Sequence, residues 1–263
     1  MSRFKEPSYF VDASQLQKHD NRIWTPSEED YLRMFQSAGT ATILGEASVY
    51  YAHLPIFTGV PERISKFNPE ARLIYVMRDP IERTISHYWQ RVENGREYRP
   101  LSEAIQNDPS YRNVSHYAMQ LRPYFDRFSR DQIKLLTFEE MISNTSDVFR
   151  SICQWLNLDA SIPTPIPQPS NVTPEMVAQP ILSGLLHRLR HENHFFRLAV
   201  DSVPNSVRKI GGRILRRQKS RLDVETSEVV QYLRPLQQRQ TQELTQLIAR
   251  EFPEWTTLNP REF

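Results

Sequence analysis

Cysteine, long apolar runs and net charge are all scarce in this chain. The single cysteine, Cys153, cannot form a disulfide within the chain, and the apolar residues around it at helical spacing predict a core position. No apolar run reaches the length of a membrane-spanning helix, and no charged and then apolar leader opens the sequence. These absences favour a cytoplasmic protein without a transmembrane segment.

Several common signatures of function are also missing. The sequence holds no Walker A motif, no GxGxxG motif and no His/Cys/carboxylate cluster at metal-ligand spacing, so we expect no bound metal. Exposed helix positions explain His187, His191 and His194 better than a metal does. The net charge is only +2, and the basic run 207–221 has no interleaved aromatic residue, so we expect no nucleic-acid partner.

One predicted strand and helix organise the rest of the chain. Five apolar residues, Leu73–Met77, predict a buried strand, and Asp79 followed by Pro80 predicts the start of a helix. Buried sheets often meet anions at such a strand–helix junction. Arg78 at the strand end and Ser86 in the helix supply a guanidinium and a hydroxyl suited to a phosphate. A purely structural unit is the alternative that these residues alone leave open.

Two short carboxylate motifs accompany this unit. Lys5-Glu6-Pro7 stands near the start of the chain and is followed by aromatic residues. Gly45-Glu46-Ala47-Ser48 follows a short strand predicted at Thr42–Leu44 and precedes a pair of tyrosines. Taken alone, Glu6 is typical of a solvated N-terminal carboxylate.

Together the three motifs resemble the sulfotransferases that use 3′-phosphoadenosine 5′-phosphosulfate (PAPS) as donor. The central match consists of the strand followed by Arg78, Pro80, Arg83, Ser86 and Tyr88 at the family's spacing. The resemblance implies that Arg78 and Ser86 hold the 3′-phosphate of the nucleotide. It also implies that PAPS is the co-substrate and that no metal is needed.

The resemblance implies roles for three further positions. Glu6 corresponds to the proposed general base of the glycan-modifying members, and Gln90 to a position near their substrate. Glycan-sulfating members often carry lysine where this chain has Ala47, and the loss of that cation disfavours heparan-type acceptors. The acceptor class stays open between a glycan, a lipid and a small molecule.

Strands alternating with helices predict an α/β fold, and the resemblance implies a P-loop NTPase-like parallel sheet flanked by helices. The next strand is predicted at Ile133–Thr137. We expect one domain with an α/β core at 1–160, a proline-rich loop at 161–180 and a helical C-terminal part at 181–263. Within that last part, helices are predicted at Ile181–His191 and near Phe195–Val200, and two final helices start at Asp223 and Pro235.

The resembling family has an apolar strand and a Gly/Lys/Thr-rich loop before the Lys-Glu-Pro motif, and that loop cradles the 5′-phosphosulfate. Only four residues precede Lys5 here. We therefore expect this chain to lack the central strand and the loop, Met1 to be an internal methionine, and transfer activity to be low or absent. A gap or an abnormal pairing would then lie between Leu73–Met77 and Ile133–Thr137.

Two other functions remain open from the sequence. A non-catalytic relative would bind a nucleotide or a partner without turnover. A P-loop-type kinase would share the fold, but it requires a Walker A motif, which the sequence does not contain.

Overall fold

The computed structural model describes residues 2, 5–19, 27–161, 176–180, 216–220 and 225–260. In these ranges the α-helices are α1 (Ala13–His19), α2 (Glu28–Arg33), α3 (Val60–Phe67), α4 (Pro80–Glu93), α5 (Leu101–Asn107), α6 (Ser110–Asn113), α7 (Tyr117–Phe125), α8 (Phe138–Ser143), α9 (Thr145–Trp155) and α10 (Ser227–Ile248). The strands are β1 (Leu73–Met77), β2 (Ile133–Thr137), β3 (Met176–Pro180) and β4 (Arg216–Ser220). No helix in the described part of the chain combines the length and apolar character needed to cross a bilayer.

The chain divides into two compact units, each assembled from separate stretches. The first unit takes Met1–Arg78, Arg112–Ile142 and Gln238–Phe252, and the second takes Asp79–Tyr111, Ser143–Gln237 and Pro253–Phe263. The boundary in the central motif thus falls between Arg78 and Asp79. The predicted single-domain organisation stays a prediction.

The first unit contains a small parallel sheet. Strands β1 and β2 form where the sequence predicts them and pair directly, with Leu73 opposite Ile133 and Met77 opposite Thr137. Of the two expected outcomes, a gap is therefore not formed between these strands in the described chain, and they pair directly instead. That this pairing is abnormal, and that a further strand belongs between them, stays a prediction.

β1 is only partly buried, which corrects the prediction of a buried strand. Ile74 and Val76 are 44% and 46% exposed, whereas Met77 is fully buried. Successive side chains of a strand point to opposite faces, and the described residues cover only one of them.

The core of the first unit is rich in aromatic rings. Phe10, Tyr31, Tyr124 and Ile133 are buried in one cluster, and Tyr9 stacks on Tyr31 with ring centroids 4.3 Å apart. Large buried rings remove much apolar surface from water. The N-terminal aromatic residues are therefore part of the folded core.

In the second unit, α4 is the main buried helix, and Ile81, Tyr88, Trp89 and Val92 line its buried face. Its predicted start is confirmed, with Asp79 as N-cap and Pro80 as the first helical residue, and the helix ends at Glu93. Cys153 lies on α9, in agreement with the helical spacing of the apolar residues around it, and is buried, as predicted.

The same unit holds an antiparallel pair that the sequence does not predict. β3 pairs with β4, with Met176 opposite Ser220 and Pro180 opposite Arg216. This pair replaces part of the predicted loop at 161–180 and part of the predicted helical region at 181–263. Its ladder joins segments far apart in the chain, so local periodicity carries no signal for it.

Two other predictions of secondary structure are wrong. Thr42–Leu44 forms no strand and is paired in neither sheet of the described residues, and Leu44 is 51% exposed. The predicted C-terminal helix pair is one helix, α10, with Pro235 inside it. Leu233 and Leu244, on either side of the proline, are both buried, so the helix is packed against the protein before and after the position at which proline removes a backbone hydrogen bond.

Some predictions concern residues outside the described ranges. They are the helices at Ile181–His191 and Phe195–Val200, the histidines His187, His191 and His194, and most of the basic run 207–221.

Candidate active site

Arg78 is the first residue beyond β1, and one buried hydroxyl holds its backbone. Tyr117 Oη, on α7, accepts a hydrogen bond from the Arg78 N–H at 3.1 Å and donates one to the Arg78 C=O at 2.7 Å. Tyr117 is only 5% exposed. Its hydroxyl therefore satisfies both backbone groups of Arg78 where the ladder of β1 and β2 stops. Arg78 is thus fixed at the carboxyl end of the sheet.

The side chain of Arg78 is oriented by an aromatic ring. Its guanidinium carbon lies 5.2 Å from the centre of the Phe138 ring, within the range of a cation–π contact. Arg78 is half-buried, so its charge is not hidden from solvent. A guanidinium held in this way presents its donors to a phosphate with a defined geometry.

The N-terminus of α4 is closed by the protein's own carboxylate. Asp79 Oδ1 accepts from the N–H groups of Ile81 at 3.0 Å and Glu82 at 3.3 Å. Its Oδ2 accepts from the N–H groups of Thr257 at 2.9 Å and Leu258 at 3.0 Å. The predicted N-cap is confirmed, and Asp79 takes the N–H groups of Ile81 and Glu82 at this helix end. That an anion binds at the strand–helix junction stays a prediction.

Ser86 and Gln90 are the other residues predicted for the central motif, and both lie on α4. They are four residues apart and therefore share one face of the helix. Ser86 is half-buried and Gln90 is exposed. They belong to the second unit and Arg78 to the first, so their joint role with Arg78 stays a prediction.

Residues 5–11, here called the Glu6 segment, form a tight turn built into the first unit. Glu6 itself is half-buried, whereas Pro7, Ser8 and Phe10 are buried, so the segment is no solvated tail. Glu6 and Ser8 have positive φ angles of 57° and 54°, which non-glycine residues seldom adopt. The Val11 N–H donates to the Ser8 C=O at 3.0 Å and closes the turn.

The motif at 45–48 supplies a half-buried carboxylate. Tyr51 Oη donates to Glu46 Oε1 at 2.6 Å, and Ser48 Oγ donates to Glu46 Oε2 at 3.2 Å. Burial raises the pKa of Glu46, and these two hydrogen bonds only partly oppose the effect. Burial also raises the pKa of Tyr51, and the charge of Glu46 adds to that shift. The motif at 45–48 contains Glu46, but the sequence alone predicts no role for this residue.

An open cavity of about 480 Å³ lies in the first unit beside this carboxylate. Its lining includes Tyr31, Phe35, Leu44, Glu46 and Tyr51. Cavities of this size, apolar with a few polar groups, are typical of small-molecule sites. The sequence does not predict it, because its walls come from segments that are distant along the chain.

Among the residues described above, two carboxylates and one cation have side chains suited to group-transfer chemistry. Glu6 and Glu46 can hold protons, and Arg78 can stabilise negative charge. Within the described ranges, no group of three or more His, Cys, Asp or Glu side chains is placed to hold a metal ion.

Comparison with known protein families gives a match over more than half of the chain. The model of the sulfotransferase family matches residues 6–161. That range contains Glu6, Arg78, Ser86 and Gln90, together with the motif at 45–48.

Characterised relatives match a shorter stretch. Carbohydrate sulfotransferase 15 of Mus musculus is 29% identical over 121 residues, which cover 36% of this chain and 22% of that protein. Its Rattus norvegicus counterpart is 28% identical over a stretch of the same size. The chain thus spans about a fifth of the length of the curated relatives it matches.

A solved structure shares the fold. The crystal structure of a sulfotransferase from Alicyclobacillus acidocaldarius is 20% identical and superposes with a TM-score of 0.66. The superposition covers 97% of this chain and 87% of that one.

Proposed function

Since this chain belongs to the sulfotransferase family, a family of enzymes, we propose that it moves a sulfuryl group from PAPS to an acceptor hydroxyl or amine. The observation that carries the proposal is Arg78 at the carboxyl end of β1. Its backbone is bound on both sides by Tyr117, and its guanidinium is held over Phe138. A fixed arginine at a strand end fits a nucleotide phosphate.

We assign the 3′-phosphate of such a donor to side chains. With the N-terminal donors of α4 taken by Asp79, Arg78 would supply the charge and Ser86 a hydroxyl donor. The donor itself supplies the activated sulfuryl group. In the transfer, the bond from sulfur to the leaving phosphate oxygen breaks and a bond from sulfur to the acceptor forms.

Glu6 would take the proton that the acceptor loses. Its carboxylate is half-buried on a turn whose neighbours are packed into the core, so its backbone position is fixed. Gln90, exposed on α4, would contact the acceptor. A carbohydrate hydroxyl is the acceptor class we propose, because the matched relatives are named as carbohydrate sulfotransferases.

The proposal is tested with labelled PAPS and a panel of unsulfated disaccharides. We expect transfer of label to a disaccharide by the wild-type protein to be slow, in line with the low activity predicted from the sequence, and we expect that product to be lost with Glu6→Gln. Arg33→Ala, which removes a 56% exposed arginine of the first unit, is the control and should behave as wild type.

The other outcomes identify the alternatives. Tight binding of adenosine 3′,5′-bisphosphate without any transfer would support a non-catalytic relative. Preferential thermal stabilisation by ATP would support a kinase and contradict the proposal.

A further inference from the structure

We propose that Glu46 is a positioning residue that holds the Glu6 segment in place through two hydroxyl groups. The inference rests on the proposed function in one respect, namely that Glu6 is the base. The hydrogen bonds on which it depends are independent of any activity.

Two separate series of hydrogen bonds, here called arms, join Glu46 to the Glu6 segment. In the first arm, the Ser8 N–H donates to Ser48 Oγ at 2.9 Å, and Ser48 Oγ donates to Glu46 Oε2 at 3.2 Å. In the second, the Phe10 N–H donates to Tyr51 Oη at 3.4 Å, and Tyr51 Oη donates to Glu46 Oε1 at 2.6 Å. Both oxygens of one carboxylate are thus used, each for one arm.

The direction of these hydrogen bonds explains why the anchor is a carboxylate. A backbone N–H can only donate, so the Ser48 and Tyr51 hydroxyl oxygens must accept from Ser8 and Phe10. The single proton of each hydroxyl then needs an acceptor of its own. A carboxylate accepts at both oxygens, whereas a glutamine amide would place a donor against one of the two hydroxyls.

The segment that these arms hold is one that needs an external restraint. Glu6 and Ser8 adopt positive φ angles that non-glycine residues seldom take. Ser8 and Phe10 follow Glu6 by two and four residues, so the arms fix the chain directly after the proposed base. Their anchor is also rigid, because Tyr124 Oη donates to the Tyr51 C=O at 2.7 Å.

The local geometry favours a positioning role for Glu46 over a role as the base. The Glu46 carboxylate accepts hydrogen bonds from Tyr51 and Ser48. The side chain that we assign to the acceptor substrate is that of Glu6. A displacement of about 1 Å at a reacting group costs on the order of 100-fold in rate. Loss of the arms should therefore lower kcat rather than donor affinity.

The test follows the exchange rates of individual amides in the full chain. Ser48→Ala should speed exchange at the Ser8 amide and spare Phe10, and Tyr51→Phe should do the reverse. Glu46→Gln should speed both, each by at least about tenfold. Ser48→Thr keeps a hydroxyl and should restore the protection. Glu29→Gln, which changes a 75% exposed glutamate of the same unit, should change neither amide.

Kinetics of the same variants separate positioning from general structure. With labelled PAPS and the disaccharide panel, Glu46→Gln should lower kcat by about 10–100-fold. Its affinity for adenosine 3′,5′-bisphosphate should stay within about twofold of wild type, because the donor's 3′-phosphate is assigned to Arg78 and Ser86.

The outcomes of these two experiments decide whether Glu46 positions the Glu6 segment. Unchanged exchange at both amides in Glu46→Gln, or an unchanged kcat despite faster exchange, would overturn the positioning role. If the wild-type protein transfers no sulfate, the proposed function fails, and the pattern of the two amides still decides whether Glu46 holds the segment.

Discussion

Replacing Tyr117 by phenylalanine removes one oxygen atom and with it the hydrogen bonds from that hydroxyl to two backbone groups of Arg78. A buried backbone group that loses its hydrogen bond costs about 1–3 kcal/mol. Arg78 is half-buried, so water can reach part of this site and the lower end of that range applies to each group. We therefore expect Tyr117→Phe to lower the free energy of unfolding by about 2 kcal/mol.

Urea unfolding measures this loss directly. Tyr9→Phe is the matched control, because it removes a tyrosine hydroxyl from the same unit and keeps the ring stacked on Tyr31. We expect the control to unfold within about 0.5 kcal/mol of wild type, as substitutions outside special sites usually do.

Nucleotide binding tests whether Tyr117→Phe also affects the function proposed for Arg78. Arg78→Ala should weaken binding of adenosine 3′,5′-bisphosphate by about 10–150-fold, the equivalent of 1.5–3 kcal/mol for a charged hydrogen bond. Tyr117→Phe keeps the guanidinium but releases its backbone, so its affinity should fall between those of wild type and Arg78→Ala. If Tyr117→Phe equals wild type in both stability and affinity, the role given to Tyr117 is wrong.

Three further changes have expected outcomes. Ser86→Ala should weaken bisphosphate binding in calorimetry by less than Arg78→Ala does, because the serine hydroxyl donates one hydrogen bond to the phosphate, whereas the guanidinium also carries a positive charge and several donors; a larger loss in Ser86→Ala than in Arg78→Ala would contradict the leading role given to Arg78. Glu6→Gln should abolish transfer while calorimetry shows unchanged donor affinity, and full turnover would place the base elsewhere. Burial acts to raise the pKa of Glu97, but hydrogen bonds, chiefly from Arg99, lower that pKa from 4.5 to about 2. Ionised Glu97 therefore contributes about 3 kcal/mol to the free energy of unfolding above pH 4.5, and this contribution is lost as the pH falls towards 2. Glu97→Gln should lack this dependence in denaturant titrations at pH 2–5, and a parallel pH dependence in variant and wild type would refute the reasoning.

The sequence predicts those parts of the fold that local patterns determine. An apolar run of five residues is enough to predict β1, and Asp79 before Pro80 marks the start of α4, because capping is a local interaction. The burial of Cys153 follows from helical periodicity in the same way.

The contacts that hold the candidate site could not be predicted, because they join distant residues. Nothing around Tyr117 shows that its hydroxyl will bind both backbone groups of Arg78, 39 residues away. The hydrogen bonds that Asp79 Oδ2 accepts from Thr257 and Leu258 join residues 178 and 179 positions apart. The pairing of β3 with β4 and the passage of α10 through Pro235 likewise depend on tertiary contacts that override local signals.

A two-by-two binding experiment tests most directly whether Arg78 recognises a 3′-phosphate. Calorimetry on wild type and Arg78→Ala, each with adenosine 3′,5′-bisphosphate and with adenosine 5′-phosphate, isolates the interaction of that one phosphate with that one side chain. We expect wild type to prefer the bisphosphate by at least about tenfold, and we expect the preference to disappear in Arg78→Ala. Equal affinity of wild type for the two nucleotides, or a preference that survives in the variant, would contradict the assignment of Arg78 to the 3′-phosphate.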